Sequence, residues 1–239
     1  MLSIITPVLN GEDFIESNIK AILELKVPFE HIIVDGCSSD RTIEIISLYP
    51  HVKLIIQNDN GGMYSAINMG IKEAKGDYVT YVNCDDIIDP DNFSVMYKTI
   101  SNSDYDFIYS DGFLKYSKSG KLKFFKSSNY LFRFFLKNGI MPFTQPCSIY
   151  TKSIFNTVGG FDYKNYNWCG DLDFFRKVIF LKGVRIKYIK LPTVTFLIHS
   201  NSLTSLNYTS LYEECKRNSI PIPNIFTRGI YFLSRFLRL

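Results

Sequence analysis

From residue 3 to residue 86 the chain alternates short apolar runs with stretches whose apolar residues recur every three or four positions. Ser3 to Thr6 reads as a strand. The next segment sets Ile15, Ile19, Ile22 and Leu23 on one helix face, with Asn10 and Asp13 where an N-terminal cap would stand. His31 to Val34 reads as a second strand closing on Asp35, and Ser38, Ser39 and Asp40 precede a short helix carrying Ile43 and Ile46. Val52 to Gln57 reads as a third strand. A polar turn, Asn58-Asp59-Asn60-Gly61-Gly62, leads to a helix with Ile67, Gly70, Ile71 and Ala74 on one face, broken at Gly76-Asp77. Tyr78 to Asn83 reads as a fourth strand, ending at Asp85 and Asp86.

Strands alternating with helices predict a parallel sheet covered on both faces. Ligands of such sheets bind beyond the carboxyl ends of the strands. The polar clusters at 6–10, 35–40, 58–62 and 83–86 fall at those ends, which makes that edge a candidate nucleotide site. After Pro90 the pattern is mixed. Phe107 to Tyr109 reads as a strand, and Leu114–Tyr116 and Leu122–Phe124 flank Ser117–Gly120 as a hairpin. Thr144 to Tyr150 reads as a strand, 171–181 as a helix, and Val184 to Ile189 and Thr193 to Ile198 as extended segments that complete the same sheet. With no repeat, low-complexity tract or linker, the expected organisation is one α/β domain over 1–205 with a helical tail over 206–239.

Composition narrows the class. Apolar residues at 46% and charged residues at 21% suit a packed core and exclude a disordered or fibrous chain. A net charge of +4 is too small to argue for nucleic acid. The cysteines at 37, 84, 147, 169 and 215 form no C-x-x-C pair, so neither a zinc knuckle nor a disulfide scaffold is expected, and a reducing compartment fits. The N-terminus has no basic signal region and no apolar run reaches bilayer length, so the chain reads as cytoplasmic, with any membrane contact peripheral.

Several clusters carry chemistry, each with a plainer reading beside it. In Asn83-Cys84-Asp85-Asp86 two adjacent carboxylates are costly unless a cation or solvent relieves them. Oxygen ligands suit Mg²⁺ or Mn²⁺, whose other positions phosphate and water fill; a polar turn before Asp89-Pro90 accounts for the same residues. Asp171 stands where a helix begins and is either a cap or a general base. Asp35 faces a base or ribose, or belongs to a strand-to-helix turn. Asn60-Gly61-Gly62 allows close backbone approach to a ligand, as any tight turn does. His199 binds a cation or a phosphate, or is a plain surface histidine. The tail from Asn224, with Ile225, Phe226, Ile230, Tyr231, Phe232, Leu233, Phe236, Leu237 and Leu239 beside Arg228, Arg235 and Arg238, lies on an anionic membrane surface, docks on the domain, or sits in a dimer interface.

Taken in order, the motifs resemble family 2 glycosyltransferases of the GT-A fold. Ser3-Ile4-Ile5-Thr6-Pro7-Val8-Leu9-Asn10 is similar to their opening strand, and Ile33 to Thr42 resembles their nucleotide-binding "VDGGSTDGT" segment. Asn58 to Gly70 is similar to "EPDKGIYDAMNKG" of a branch common in bacterial surface-polysaccharide clusters. Gly76-Asp77 with Tyr81 to Asp86 resembles the D-x-D region. Gln145, Gly159-Gly160-Phe161-Asp162 and Asp171-Leu172-Asp173 resemble the acceptor-side stretch. The likeness runs from residue 3 to about 200 and leaves the tail uncovered.

The resemblance implies a Rossmann-like mixed central sheet with helices on both faces, and inverting transfer of a sugar from a nucleotide-diphosphate donor, with a UDP-sugar favoured. It places Thr6, Pro7, Asn10 and Asp35 around base and ribose, and Asp59 and Asn68 in the donor pocket. Asn83 and Asp86 stand beside the donor, Asp85 holds Mn²⁺ or Mg²⁺, and His199 is a further candidate to bind that metal or a phosphate. Asp171 is the base. The acceptor it implies is a lipid-linked saccharide of polysaccharide or O-antigen synthesis at the inner face of the membrane, which residues 130–136 and the tail would favour; a homodimer through the tail is the alternative use of those aromatics. A nucleotidyltransferase shares the sheet and the metal–phosphate chemistry but would need a Gly- and Lys-rich triphosphate loop, which is not evident near the N-terminus. A non-catalytic sugar-nucleotide-binding scaffold would not need both Asp85 and Asp171.

Overall fold

β1 (Leu2–Val8) is buried along its length and pairs in parallel with β2 (Phe29–Asp35) and β4 (Tyr78–Tyr81), while β3 (Val52–Ile56) adds to β2. Pro7 lies beyond the last β1–β4 pair, Ile5↔Tyr81, on the side of β1 where β4 has ended, so its missing N–H costs no bond to that strand. The computed structural model describes residues 1–129, 131–199 and 208–236, without the side chains of Tyr208 and residues 234–236. Tyr130, Ser200-Asn201-Ser202, the expected boundary at 205/206, the Arg235 and Phe236 side chains, and Leu237, Arg238 and Leu239 therefore lie outside the described residues.

The second half of the sheet is mixed. β5 is Ile87–Ile88, β6 Phe107–Tyr116, β7 Leu122–Phe125, β8 Ser148–Thr151 and β9 Ile186–Ile198. The strand order is β3-β2-β1-β4-β8-β6-β9-β5, with β7 paired to β6. The hairpin forms as expected, but its first arm continues the strand that begins at Phe107. The two extended segments near 184–198 are likewise one strand, whose register against β6 shifts around Asp111 and Pro192.

One face of the sheet is covered by α3 (Gly62–Glu73), α5 (Phe132–Lys137), α6 (Lys152–Val158) and α7 (Gly170–Phe180), whose apolar residues join Ile5, Val34, Tyr81, Phe107 and Tyr150 in the largest core cluster. The other face is covered by α1 (Ile15–Leu23), α2 (Thr42–Ser47) and α4 (Pro90–Ser101), against Ile4, Ile33, Ile108 and Ile149. Successive strand residues alternate between these cores, as the pleat requires. α8 (Tyr208–Arg217) packs Cys215 into the first core, which Ile220 also joins, and α9 (Ile225–Phe236) follows.

The structure corrects several expectations. Leu23 is exposed, because Leu25 and Val27 of the following loop cover that side of the core. Asn10 and Asp13 do not cap α1; Asn10 instead bonds the β2–α2 loop. Ile43 is partly exposed while Ile46 is buried. α4 and α6 were not expected, yet each carries a start signal: Asp89 accepts the Asn92 N–H ahead of Pro90, and Thr151 accepts the Ile154 N–H. The aromatic stretch after Tyr130 does not as a whole face outward. Phe132, Phe135 and Leu136 are buried, and Arg133 donates to the carbonyls of Ile179 and Val184.

Candidate active site

The carboxyl ends of β1, β2 and β4 converge, and the polar loops after them are stitched together. Asp35, fully buried at the end of β2, accepts the Ser38 N–H at 2.8 Å on one oxygen and the Ser38 hydroxyl on the other. Ser38 Oγ in turn accepts the Asn10 N–H at 2.8 Å, and Asn10 Oδ1 accepts the Ser39 N–H at 2.9 Å. Asn10 takes a left-handed backbone, which asparagine tolerates better than most residues. The Gln57 N–H bonds the Asp35 carbonyl, and its side chain reaches Asp59 Oδ1 at 2.7 Å. Asp59 also accepts from Ser65 Oγ and the Gly61 N–H; these donors, led by Gln57, lower its pKa.

The turn after β4 is held from below by Asn18. Its amide donates to the carbonyls of Asn83 at 3.1 Å and Asp86 at 2.9 Å, and its oxygen accepts from the Thr6 hydroxyl. Asn18 was missed in the sequence, although its signal was legible: it is a polar residue inside the apolar stripe formed by Ile15, Ile19 and Ile22. Asp86 is fully buried, and its carboxylate accepts the Leu197 N–H at 3.2 Å. Burial first and the Asp85 charge second push its pKa well above the usual carboxylate range. Asn83 donates to Asp86, while its own Oδ1 is buried with no hydrogen-bond partner among the described residues.

β9 runs antiparallel to β5, with Ile87 opposite Thr195, so the chain leaving β9 returns past the 83–86 turn. This brings His199 Nε2 to 3.0 Å from Asp85 Oδ2 across 114 residues of sequence. Phe14 packs on the imidazole at a 5.2 Å centroid distance.

Asp171 enters from the first turn of α7, where a helix N-terminus favours a carboxylate. Among the described residues its side chain accepts two hydrogen bonds, both on Oδ1: the Leu172 N–H at 2.8 Å and the Tyr64 hydroxyl at 3.3 Å. Burial lifts the Asp171 pKa and lifts the Tyr64 phenol well above its usual value, so Tyr64 remains the donor. A Cβ on Gly170 would stand 2.7 Å from the Tyr64 ring, so only glycine lets the ring lie against the start of α7. Tyr64 lies within the Asn58–Gly70 motif, whose likeness assigned it no role. Tyr64 also stacks on Phe161 at 5.5 Å, and Phe161 meets Tyr81 at the end of β4 edge-on at 5.5 Å, so the Asp171 pair is linked by packed rings to the strand from which the Asn83–Asp86 turn leaves.

Thus the fold gathers Pro7, Asn10, Asp35, Asp59, Asn83, Asp85, Asp86, Asp171 and His199 along one edge of the sheet or the loops that cap it. The side chains of Thr6 and Asn68 are committed elsewhere. Thr6 is buried and bonds Asn18 and His31, the latter at 3.0 Å. Asn68 makes two bonds to the Phe161 backbone, donating to its carbonyl at 2.7 Å and accepting its N–H at 2.9 Å.

Asp85 and His199 offer a cation one hard oxygen and one imidazole nitrogen. Among the described residues no group of three or more His, Cys, Asp or Glu is gathered to hold a metal by protein alone. This donor pair, in a turn that also carries Asn83 Oδ1, unpartnered among the described residues, fits an ion completed by phosphate and water.

Residues 3–159 match the glycosyl transferase family 2 description. The chain belongs to this family. A relative from Bacillus subtilis, named putative teichuronic acid biosynthesis glycosyltransferase TuaG, is 34% identical over 91 residues, 36% of each chain. The first curated relatives are therefore matched over less than half of their length. Among solved structures, Staphylococcus aureus TarS 1-349 in complex with UDP-GlcNAc superposes with a TM-score of 0.72 at 21% identity, covering 92% of this chain and 65% of that one. The mannosyltransferase PcManGT from Pyrobaculum calidifontis, in complex with GDP-Man and Mn²⁺, gives 0.63 at 17% identity over all of this chain and 70% of its own. The family 2 chain accordingly has the GT-A fold that its motifs suggested.

Proposed function

We propose that this family 2 chain is an inverting, metal-dependent glycosyltransferase. In this reading it moves a sugar from a nucleotide-diphosphate donor, a UDP-sugar, to a hydroxyl of a lipid-linked saccharide in bacterial polysaccharide or O-antigen synthesis. The observation that carries the reading is the meeting of Asp85 and His199 at 3.0 Å, with Asp171 joined to the same strand end through Tyr64, Phe161 and Tyr81. A UDP-GlcNAc complex and a GDP-Man complex among the structural neighbours support a nucleotide-sugar donor, and the name of the Bacillus subtilis relative supports a surface polymer.

In this mechanism Pro7, Asn10 and Asp35 form the base and ribose end of the site. Thr6 and Asn68 act from behind, the first by bracing β1 through Asn18, the second by fixing the Phe161 loop. Asp59 and the Asn83–Asp86 turn border the donor. Asp85 and His199 would hold Mn²⁺ or Mg²⁺, which when bound supplies positive charge for the departing diphosphate. Asp171 keeps Oδ1 occupied by Leu172 and Tyr64, which leaves Oδ2 to take the proton of the acceptor hydroxyl as it attacks the anomeric carbon. Direct attack with no covalent intermediate inverts that centre.

The test is calorimetry of UDP-, GDP- and dTDP-sugars with Mn²⁺ or Mg²⁺, then with chelator. UDP-sugar binding that vanishes on chelation is expected. Absence of binding by all three with metal present would sink the donor reading.

The tail supports a peripheral membrane role. Thr227 is buried and Tyr231 stacks edge-on against Phe135 at 5.1 Å, so α9 docks one face on the domain. Ile225, Phe226, Phe232 and Leu233 stand outward, the first 91% exposed, and Arg228 lies on the same helix. Among the described residues no helix is long and apolar enough to cross a membrane. An outward apolar face with basic residues suits an anionic bilayer surface. Deleting residues 224–239 is expected to cut sedimentation with anionic vesicles severalfold; unchanged sedimentation with a loss of dimer on gel filtration would assign the face to self-association instead.

A further inference from the structure

Glu214 of α8 is an acidic residue with no solvent exposure, 45 residues from the segment it touches. Its carboxylate accepts three successive backbone N–H groups: Asn167 at 2.7 Å, Trp168 at 2.8 Å and Cys169 at 2.9 Å. The Cys169 thiol adds a fourth contact at 3.3 Å. A buried carboxylate is costly unless its lone pairs are filled, and here converging amides fill them, as in the backbone concavities that bind anions. The segment so gripped leads directly into α7, whose entry residue Cys169 makes no side-chain cap bond of its own, and Asp171 stands two residues on.

We infer that Glu214 is a positioning residue for transfer: it anchors the 167–169 backbone from the C-terminal helix and so fixes where α7 starts and where Asp171 stands. The anchor makes α8 a working part of the catalytic unit rather than an appendage. It also sets a charge near the base. The titratable groups whose bonds or charges couple to Asp171 are Tyr64 from α3, Tyr81 from β4, and Glu214 and Cys215 from α8. Burial raises the Asp171 pKa most, the Leu172 and Tyr64 hydrogen bonds draw it down, and the Glu214 charge adds a smaller rise.

The inference rests on the reading of Asp171 as the base, and the chain supplies a readout that does not. Trp168, the single tryptophan, lies inside the anchored segment. Glu214→Gln turns one acceptor oxygen into an amide donor facing backbone N–H groups, so the segment must shift. The expected result is a fall in kcat of about 10–100-fold, the scale of a misplacement near 1 Å, with the donor dissociation constant unchanged. Trp168 emission and acrylamide quenching change, and the acid limb of the kcat profile moves to lower pH. Glu214→Asp keeps the charge but is one methylene short; it is expected to return the acid limb while kcat stays depressed. Glu213→Gln, on the exposed side of α8, is expected to change none of these. Wild-type kcat and Trp168 emission in Glu214→Gln would overturn the inference, as would a fall in kcat with Trp168 undisturbed. If Glu214→Gln does not fold, amide exchange of the intact chain decides: protection of the 167–169 amides at the level of the α7 interior is expected, and loop-like exchange overturns the anchor. Should Asp171→Asn keep full turnover, the base reading fails, while the Trp168 measurements still judge the anchor.

Discussion

Asp171→Asn should abolish transfer and leave the protein more stable at neutral pH. The loss follows from the role: an amide cannot take the acceptor proton, and a positioned base contributes roughly 10²–10⁴-fold to rate. The donor site is untouched, because asparagine keeps Oδ1 and with it the bonds from Leu172 and Tyr64. The gain in stability follows from the sign of the pKa shift. Burial raises the Asp171 pKa above its unfolded value. Between those two values the folded state holds the proton more tightly than the unfolded state does, so stability falls as pH rises through that window. Above the raised pKa the cost is present in full, and the neutral amide removes it. The same shift predicts that wild-type transfer loses activity on acidification at a pH above the ordinary aspartate value. The measurements are single-turnover transfer, donor calorimetry and thermal melts at pH 7. A variant that retains turnover, or one that melts lower than wild type, would count against the base in a buried seat.

Much of this arrangement was legible because a parallel sheet sends every strand end to one edge. Asp35, Asp59 and Asp85 could be set together from period and polarity alone, with no knowledge of contacts. What stayed hidden depends on chain returns. Asp85 and His199 were both candidates for a cation, but nothing in the sequence showed their contact, which forms because β9 runs back beside β5, a two-residue strand too short to announce itself. β9 itself read as two pieces because Pro192 falls where its register against β6 shifts. α4 was not expected, although Asp89-Pro90 is a start signal, because the pattern of apolar positions is mixed after Pro90. Glu214 had no signal in the sequence, since its partners are backbone amides and any side chain can carry those. Thr6 and Asn68 show the converse. Motif likeness placed them on the ligand, while packing has spent their polar atoms on the scaffold that shapes the site.

Asp85→Ala is expected to erase the metal dependence of donor binding and to lower transfer by 10²-fold or more, the scale of losing one group that stabilises developing charge. Two neighbouring carboxylates allow the chemistry to be separated from the fold. Asp85 bonds His199 and takes no part in the bonds by which Asn18 and Leu197 hold the turn. Its removal also takes a like charge away from buried Asp86, whose pKa it helps to raise. The melting temperature should therefore hold or rise. Asp86→Ala should behave differently. It deprives the Leu197 N–H and the Asn83 amide of their acceptor, and each buried polar group left unpaired costs about 1–3 kcal/mol. Its loss of activity would come with a loss of stability, whereas Asp85→Ala should lose activity alone. Calorimetric titration of the donor across Mn²⁺ concentrations, alongside melts of both variants, reads this contrast. If Asp85→Ala responds to Mn²⁺ as wild type does, the cation is held elsewhere and the Asp85–His199 pair has a structural role.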